Sequence, residues 1–309
     1  MSDVCPLCKS QDISLRYPHL EDWEYRVAPS RKFGFAQCTT CSFWFMTPRP
    51  AEEEILSFYP SSYHAYESDR KGLTGYLVKI RQYLRRRYYL SLLPPGPQKA
   101  VFDVGCGDCR NFELFQKVEG IRLAGVEIHP DLADRGRQRG FEIYKGSADR
   151  FDETSLENQF DLVTMNHLLE HVADPMTVLW KTLRILKPGG VLAGELPCIN
   201  SLEYSVFRSY WAGFHFPRHL QAFSQSTLKK ALHEAGFDHV RILYPPHPVQ
   251  WATSFQNALD RFVVRWPRHQ AKGPFHTLFL MIGLGFSLFE KLFHISGIIG
   301  FEARKPLTR

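Results

Sequence analysis

Residues 101–107, Val-Phe-Asp-Val-Gly-Cys-Gly, constrain the fold more than any other stretch of this chain. An apolar run reaches Asp103, and Gly105 and Gly107 follow one residue apart, ahead of a helical pattern of Phe112, Leu114, Phe115 and Val118. The pattern predicts a strand that delivers its carboxyl end to a tight turn, with a helix just beyond. Glycine lets the backbone approach a ligand because no Cβ intervenes. The carboxyl ends of parallel strands are also where doubly wound sheets take nucleotides. A second buried-strand run, Leu123-Ala-Gly-Val-Glu127, ends in an acid 22 residues after Gly105. An acid beside a glycine turn can accept both hydroxyls of a ribose.

The turn discriminates between cofactors. A pyrophosphate calls for Gly-x-Gly-x-x-Gly opening onto a helix N-terminus, whereas Arg110 stands where the third glycine would be. Asp103 and Asp108 flank the turn and would repel a dianion. A cofactor with a ribose and an amino-acid tail but no phosphate, S-adenosylmethionine, suits it better.

From these residues onward the chain resembles the class I S-adenosylmethionine-dependent methyltransferases over roughly residues 95–306. Asp103-Val-Gly-Cys-Gly matches the first motif, and Glu127 falls at the ribose acid. Gly146-Ser-Ala-Asp149 matches the adenine segment. Residues 160–171, Phe-Asp-Leu-Val-Thr-Met-Asn-His-Leu-Leu-Glu-His, look like the fourth strand and its loop, and 183–190 like the helix and turn before strand five. The resemblance implies a seven-stranded Rossmann-like α/β sheet. It also implies a cofactor site of Asp103, Gly105, Cys106, Gly107, Glu127, Ile128, Ala148, Asp149, Asn166 and His167. One departure stands out: Cys109 occupies a position that is commonly glycine in the family, where it would narrow the space near the methionine tail. Cys106 and Cys109 also form a C-x-x-C pair, which reads as two small buried thiols because the surrounding glycines are already explained.

Cys5, Cys8, Cys38 and Cys41 form C-x2-C-x29-C-x2-C. Two such knuckles supply the four thiolates a structural zinc prefers. Seven cysteines, four of them in two tight pairs, favour a reducing compartment with a metal site over a disulfide framework. Short alternating segments between the knuckles, 13–16 and 33–37, can pair as a hairpin. This predicts a small N-terminal zinc ribbon over residues 1–48. Its acids and bases balance, so it lacks the electrostatic footprint of a nucleic-acid binder, and a role in shaping or covering the active site fits better. Ribbon plus methyltransferase domain resembles the sugar C-methyltransferases and related small-molecule enzymes.

Residues 49–94 read as a helical linker or lid, with Tyr59, Tyr63, His64 and Tyr66 in an aromatic cluster and Tyr63 and Tyr66 expected to touch substrate. Residues 76–92 carry Lys79, Arg81, Arg85, Arg86 and Arg87 around one apolar stripe, the pattern of a solvated helix face. The methyltransferase domain is expected to occupy 95–309.

Methyl transfer needs a deprotonated acceptor lined up behind the sulfonium, so a base is required. His167, Glu170 and His171 fall on one face if the loop after strand four opens a helix. His-x-x-Glu-His also occurs in zinc peptidases, but the strand-four context accounts for it here. The second candidate is His219, in the segment Phe214-His-Phe-Pro-Arg-His-Leu-Gln-Ala-Phe-Ser224, with Arg218 beside it as a substrate contact. Polar residues stand among aromatics in this long loop, and such loops are usually functional. In the sugar C-methyltransferases a histidine before a Phe-Ser segment is the base, which makes His219 the expected base and His171 the next candidate. A helix cap near Ser224 is the structural alternative for His219. Strand four lacks Asn-Pro-Pro-Tyr or Asp-Pro-Pro-Tyr, which argues against methylation of a planar amino nitrogen.

Residues 250–295 read as an apolar helical insertion, with only His276 ionisable over 275–289. That is short of the about 20 residues a membrane span needs, and the returning strand near 297–306 would hold both ends on one side. The stretch 275–295 suits lying on a membrane surface, wrapping the domain or forming a dimer face. No apolar leader follows Met1; a cytoplasmic enzyme, or one at the inner face of a membrane, is expected. The sequence thus predicts methylation of carbon or oxygen on a small polar acceptor. A sugar nucleotide or glycan comes first, and a lipid or prenylated phenol second. A non-catalytic binding protein on the same fold is the alternative of another class.

Overall fold

The computed structural model describes residues 4–60, 72–261 and 275–307. Tyr63, His64 and Tyr66 lie outside the described residues.

The alternating segments near the N-terminus pair antiparallel as expected. Strand β1 (Ile13–Tyr17) lies on β2 (Gly34–Cys38), with Ile13 opposite Cys38, and β2 lies on β3 (Trp44–Thr47). The far edge of β3 is taken by β9 (Gln221–Ala222), from deep in the second half of the chain. The ribbon sheet is therefore completed by the same loop that carries His219. Between β3 and the larger sheet run α1 (Glu52–Ser57) and the 21-residue α2 (Gly72–Leu92).

Apolar runs bounded by turns build the larger sheet from β4 (Lys99–Val104), β5 (Ile121–Glu127), β6 (Glu142–Lys145), β7 (Phe160–Asn166), β8 (Leu186–Pro197), β10 (Asp238–Leu243) and β11 (Ile298–Arg304). Their order is β10-β11-β8-β7-β4-β5-β6, parallel except for β11, which is antiparallel to both neighbours. Strand order reverses at β4, flanked by β5 and β7, so the crevice for a ligand opens at their carboxyl ends. Crossover helices are α3 (Pro130–Gln138), α4 (Pro175–Ile185) and α6 (Gln225–Ala235). Helix α4 starts where Asp174 accepts from the amides of Met176 and Thr177, and α6 where Ser224 accepts from Thr227. The short α5 (Leu202–Phe207) and the pair α7 (Pro248–Asp260) and α8 (His276–Phe293) fill the remaining connections.

Local geometry differs from expectation in three places. After the glycine turn no α-helix forms. Cys109 adopts a left-handed backbone, φ 63°, and the amides of Cys109, Phe112, Phe115 and Val118 bond three residues back, giving 3₁₀ turns. The loop after β7 is a turn, because His167 is also left-handed at φ 50°. The Lys-Pro-Gly-Gly turn lies inside β8, which pairs from Leu186 onward with a register irregularity opposite Phe160.

Candidate active site

Glu127 is where the site begins. Its buried carboxylate accepts from the Gly107 amide through one oxygen and the His129 amide through the other, each at 2.8 Å. The acid at the end of β5 thus fixes the glycine turn at the end of β4, and its remaining lone pairs are left for hydroxyls. The amides of Gly105 and Cys106 both bond to Val126 O. Gly105 has φ 73°, and a Cβ there would lie 2.7 Å from Leu168, so only glycine fits. Asp103 accepts from Thr164 Oγ1 at 2.6 Å and Asn111 Nδ2 at 3.0 Å, and burial raises its carboxyl to about 6. Ile128 is 43 % exposed beside Glu127, Ala148 is buried, and Asp149 accepts from Ser147 Oγ. Asn166 accepts from Tyr89 while its buried Nδ2 has no partner, the signature of a donor awaiting a ligand.

Cys109 does not crowd this crevice. Its thiol is buried with Cys106, Phe112, Ala133 and Ile143 beneath α3, where a Cβ on Gly136 would lie 2.7 Å from Cys109 Sγ.

The segment after β7 links the glycine turn to the loop around His219. Leu168 touches Gly105, His167 Nδ1 lies 3.3 Å from Glu170, and Glu170 O accepts from the Leu220 amide. His171 and His219 meet edge to face at 4.5 Å between ring centroids. His219 Nδ1 lies 2.8 Å from Gly213 O. A carbonyl only accepts, so the proton sits on Nδ1 and the lone pair on Nε2. Burial, then the neighbouring His171 and His215, hold the His219 imidazole well below its usual range. Burial and His215 do the same for His171, whose Nδ1 lies 3.0 Å from the Tyr59 hydroxyl. Ser224, not His219, caps α6.

Arg218 requires a correction. It is fully buried, and all five of its N–H groups find protein acceptors: both Asp22 oxygens at 2.9 Å, the Phe58 and Phe216 carbonyls, and His215 Nε2. Nothing remains for a substrate. It ties the loop around His219 to the ribbon instead, and Arg49 adds bonds to Leu220 O and Ala173 O.

Sequence reasoning missed a second charged group at the carboxyl end of β8. Arg85 and Arg81 approach Glu195 at 3.6 and 3.8 Å, and Arg81 bonds His247 Nε2 at 2.8 Å. Burial opposes ionisation of Glu195, but Arg85, His247, His167 and Arg81 outweigh it and hold the carboxyl at about 2. Burial and Arg81 lower His247 to about 3. The only signal was the cation-rich pattern of α2, which solvation explained equally well. Two His-carboxylate sets have ligand atoms within 4.8 Å of one another, Glu170/His171/His219 and His167/Glu195/His247. Either has the composition of a divalent-cation site, although Arg81 and Arg85 oppose a cation at the second. The thiols of Cys5, Cys8, Cys38 and Cys41 also lie within 4.8 Å of one another, with Cys5–Cys41 at 3.5 Å and Cys8–Cys38 at 3.6 Å.

Sheet order, the glycine turn and the acid bound across it together define a class I S-adenosylmethionine-dependent methyltransferase. The chain belongs to the methyltransferase-domain family, whose profile matches residues 77–242. It is similar to the ubiquinone biosynthesis O-methyltransferase of Coxiella burnetii, with 29% identity over 160 residues, covering 50% of this chain and 62% of that protein. The enzyme of the same name from Xanthomonas oryzae pv. oryzae matches at 32% over 97 residues, covering 30% and 40%. The chain thus spans less than two thirds of these curated relatives. Among solved structures, Haemonchus contortus phosphoethanolamine N-methyltransferase 2 in complex with S-adenosyl-L-methionine has TM-score 0.50 and 14% identity, covering 91% of this chain and 70% of that one. That likeness concerns the fold.

Proposed function

We propose that this enzyme methylates a hydroxyl or an acidic carbon of a small acceptor, with His219 as general base. The observation that carries the reading is the Nδ1 bond of His219 to Gly213 O, which leaves the Nε2 lone pair to take a proton in a buried loop joined through residues 166–171 to the glycine turn. Glu127 would hold the ribose hydroxyls, Ile128, Ala148 and Asp149 the adenine, and Asp103, Asn166 and the glycine turn the amino-acid tail. The bound cofactor supplies a methyl group made electrophilic by its sulfonium. The acceptor proton passes to His219 Nε2 as the new bond forms, and Gly213 O stabilises the resulting imidazolium through the Nδ1 proton. His171 and Tyr59 line the approach.

The names of the matched relatives, together with the apolar face of α8, favour a lipid-type phenol as acceptor. A sugar nucleotide is the second reading, supported by Arg81 and Arg85 beside Glu195, where a phosphate would find cations. We also infer that the four ribbon cysteines hold a structural zinc. Zn–S bonds of about 2.3 Å place tetrahedral thiolates about 3.8 Å apart, close to the two separations above.

Calorimetric titration of S-adenosylmethionine and labelled-methyl transfer to a panel of phenols and sugar nucleotides test the reading. His219→Ala is expected to lower kcat about 10²- to 10⁴-fold with cofactor affinity intact. Because His219 is held neutral, the acid limb of kcat/KM in the wild type is expected below pH about 6.5. Unaltered turnover in His219→Ala would remove His219 from the mechanism.

A further inference from the structure

Helix α8 presents an apolar face to solvent. Nine of its 18 residues are large apolar side chains at least 39 % exposed, among them Met281, Leu284, Leu288, Phe289 and Leu292. The opposite stripe, Phe279, Gly283, Ser287 and Glu290, is buried against α7. There Gly283 abuts Pro248 and Trp251, and Trp251 stacks on Phe286 at 4.5 Å. The helix has mean hydropathy 1.3 and the composition to cross a membrane. Topology forbids crossing, because β10 precedes it, β11 follows it, and the two strands pair, with Leu243 opposite Gly300. A helix about 27 Å long with both ends held by one sheet lies along a surface.

Charge says which surface. Helices α2 and α8 carry six of the 38 Lys and Arg of the chain but one of its 32 Asp and Glu. Together they are net +5, against +6 for the whole chain. The single acid, Glu290, points inward to Trp251 Nε1 and the Gly297 amide. The two helices are linked through the head of α7, where Arg81 of α2 bonds His247 and the adjoining Pro248 abuts Gly283 of α8. Helix α2 also exposes Tyr83 and Leu84, and Arg87 lies over the Tyr83 ring. An apolar helix linked to a cation-rich one complements an anionic bilayer surface, whereas two-fold pairing with a second copy would set like charges together.

We propose that α8, with the cations of α2, docks this enzyme on anionic phospholipid with the α8 axis in the membrane plane. Docking would set the Arg81–Glu195 side of the crevice close to the bilayer. The inference holds for either acceptor class, so its failure leaves methyl transfer untouched.

The test is co-sedimentation of the full-length protein with phosphatidylcholine vesicles, with and without about 30 mol% phosphatidylglycerol. Partitioning is expected to rise roughly tenfold with the anionic lipid and to fall in high salt. Leu288→Glu with Leu292→Glu is expected to reduce it at least about tenfold, while calorimetric S-adenosylmethionine binding stays unchanged as the check of folding. Arg87→Glu is expected to weaken only the lipid-charge dependence. Equal partitioning onto neutral and anionic vesicles, or none onto either, would overturn the proposal. So would sedimentation velocity showing that the double variant converts a dimer to a monomer, which would assign the face to a second copy.

Discussion

Arg218 is oriented inward by its acceptors, and its role follows from them. Both Asp22 oxygens face the guanidinium, and the two side chains are 0 % and 1 % exposed. Burial opposes ionisation of Asp22, but the bonds and charge of Arg218 outweigh it and hold the carboxyl below its usual value. Removing one partner of such a pair strands the other charge. Asp22→Ala is therefore expected to lower stability by about 3–5 kcal/mol, read as a lower urea midpoint at unchanged slope. Cys109 is a milder case. A non-glycine residue in a left-handed conformation costs about 1–2 kcal/mol, offset here by burying the thiol beneath α3. Since that thiol faces away from the crevice, Cys109→Gly is expected to leave the S-adenosylmethionine Kd within about threefold; a larger change by calorimetry would refute the geometry. From sequence, Arg218 was indistinguishable from a substrate contact, because its partner Asp22 lies 196 residues away. Glu127 was legible because its chemistry depends on a glycine turn close by in the chain.

Elements were readable wherever one period ruled. The strands β4, β5 and β7 announce themselves as apolar runs that end in Asp103, Glu127 and Asn166. The segment after Gly107 misleads, because Phe112 and Phe115 suit a helix and a 3₁₀ turn alike, and the left-handed Cys109 decides for the latter. The single charged side chain that α8 turns inward was invisible in its composition. Glu290 accepts from Trp251 Nε1, the Glu203 amide and the Gly297 amide, beside the fully buried Glu203, which accepts from Ser254. Burial raises both carboxyls, Glu203 well above its usual value. The folded chain thus holds a proton that the unfolded chain releases near pH 4.3, a value about that of model glutamates. Stability falls as pH rises from there through the folded-state value. Glu203→Gln is expected to flatten this loss, with Tm measured between about pH 5 and 8 converging on or exceeding that of the wild type at the upper end.

At the scale of the molecule the ribbon and the methyltransferase sheet are one mechanical unit. Strand β9 belongs to the ribbon sheet, and His219 precedes it by two residues. If the thiols hold zinc, chelation or Cys38→Ser is expected to reduce kcat about tenfold or more while S-adenosylmethionine affinity changes little. The proposed cofactor contacts follow β4, β5, β6 and β7 rather than lying in the ribbon. Loss of cofactor binding on chelation, measured by calorimetry, would instead mean that the ribbon supports the whole fold. Sequence pattern separated a ribbon from a larger domain, but it had no means of seeing that β3 takes its outer neighbour from residues 221–222, since two residues carry no period.

The same staple imposes an order on synthesis. Trp44 and Phe45 are made early, but the strand that covers their edge and the arginine that neutralises buried Asp22 leave the ribosome some 196 residues after Asp22 itself. At about 5–20 residues per second, the nascent ribbon must wait roughly 10–40 s with an open edge strand and an unmatched carboxylate. The ribbon becomes a finished module only when the loop bearing His219 arrives.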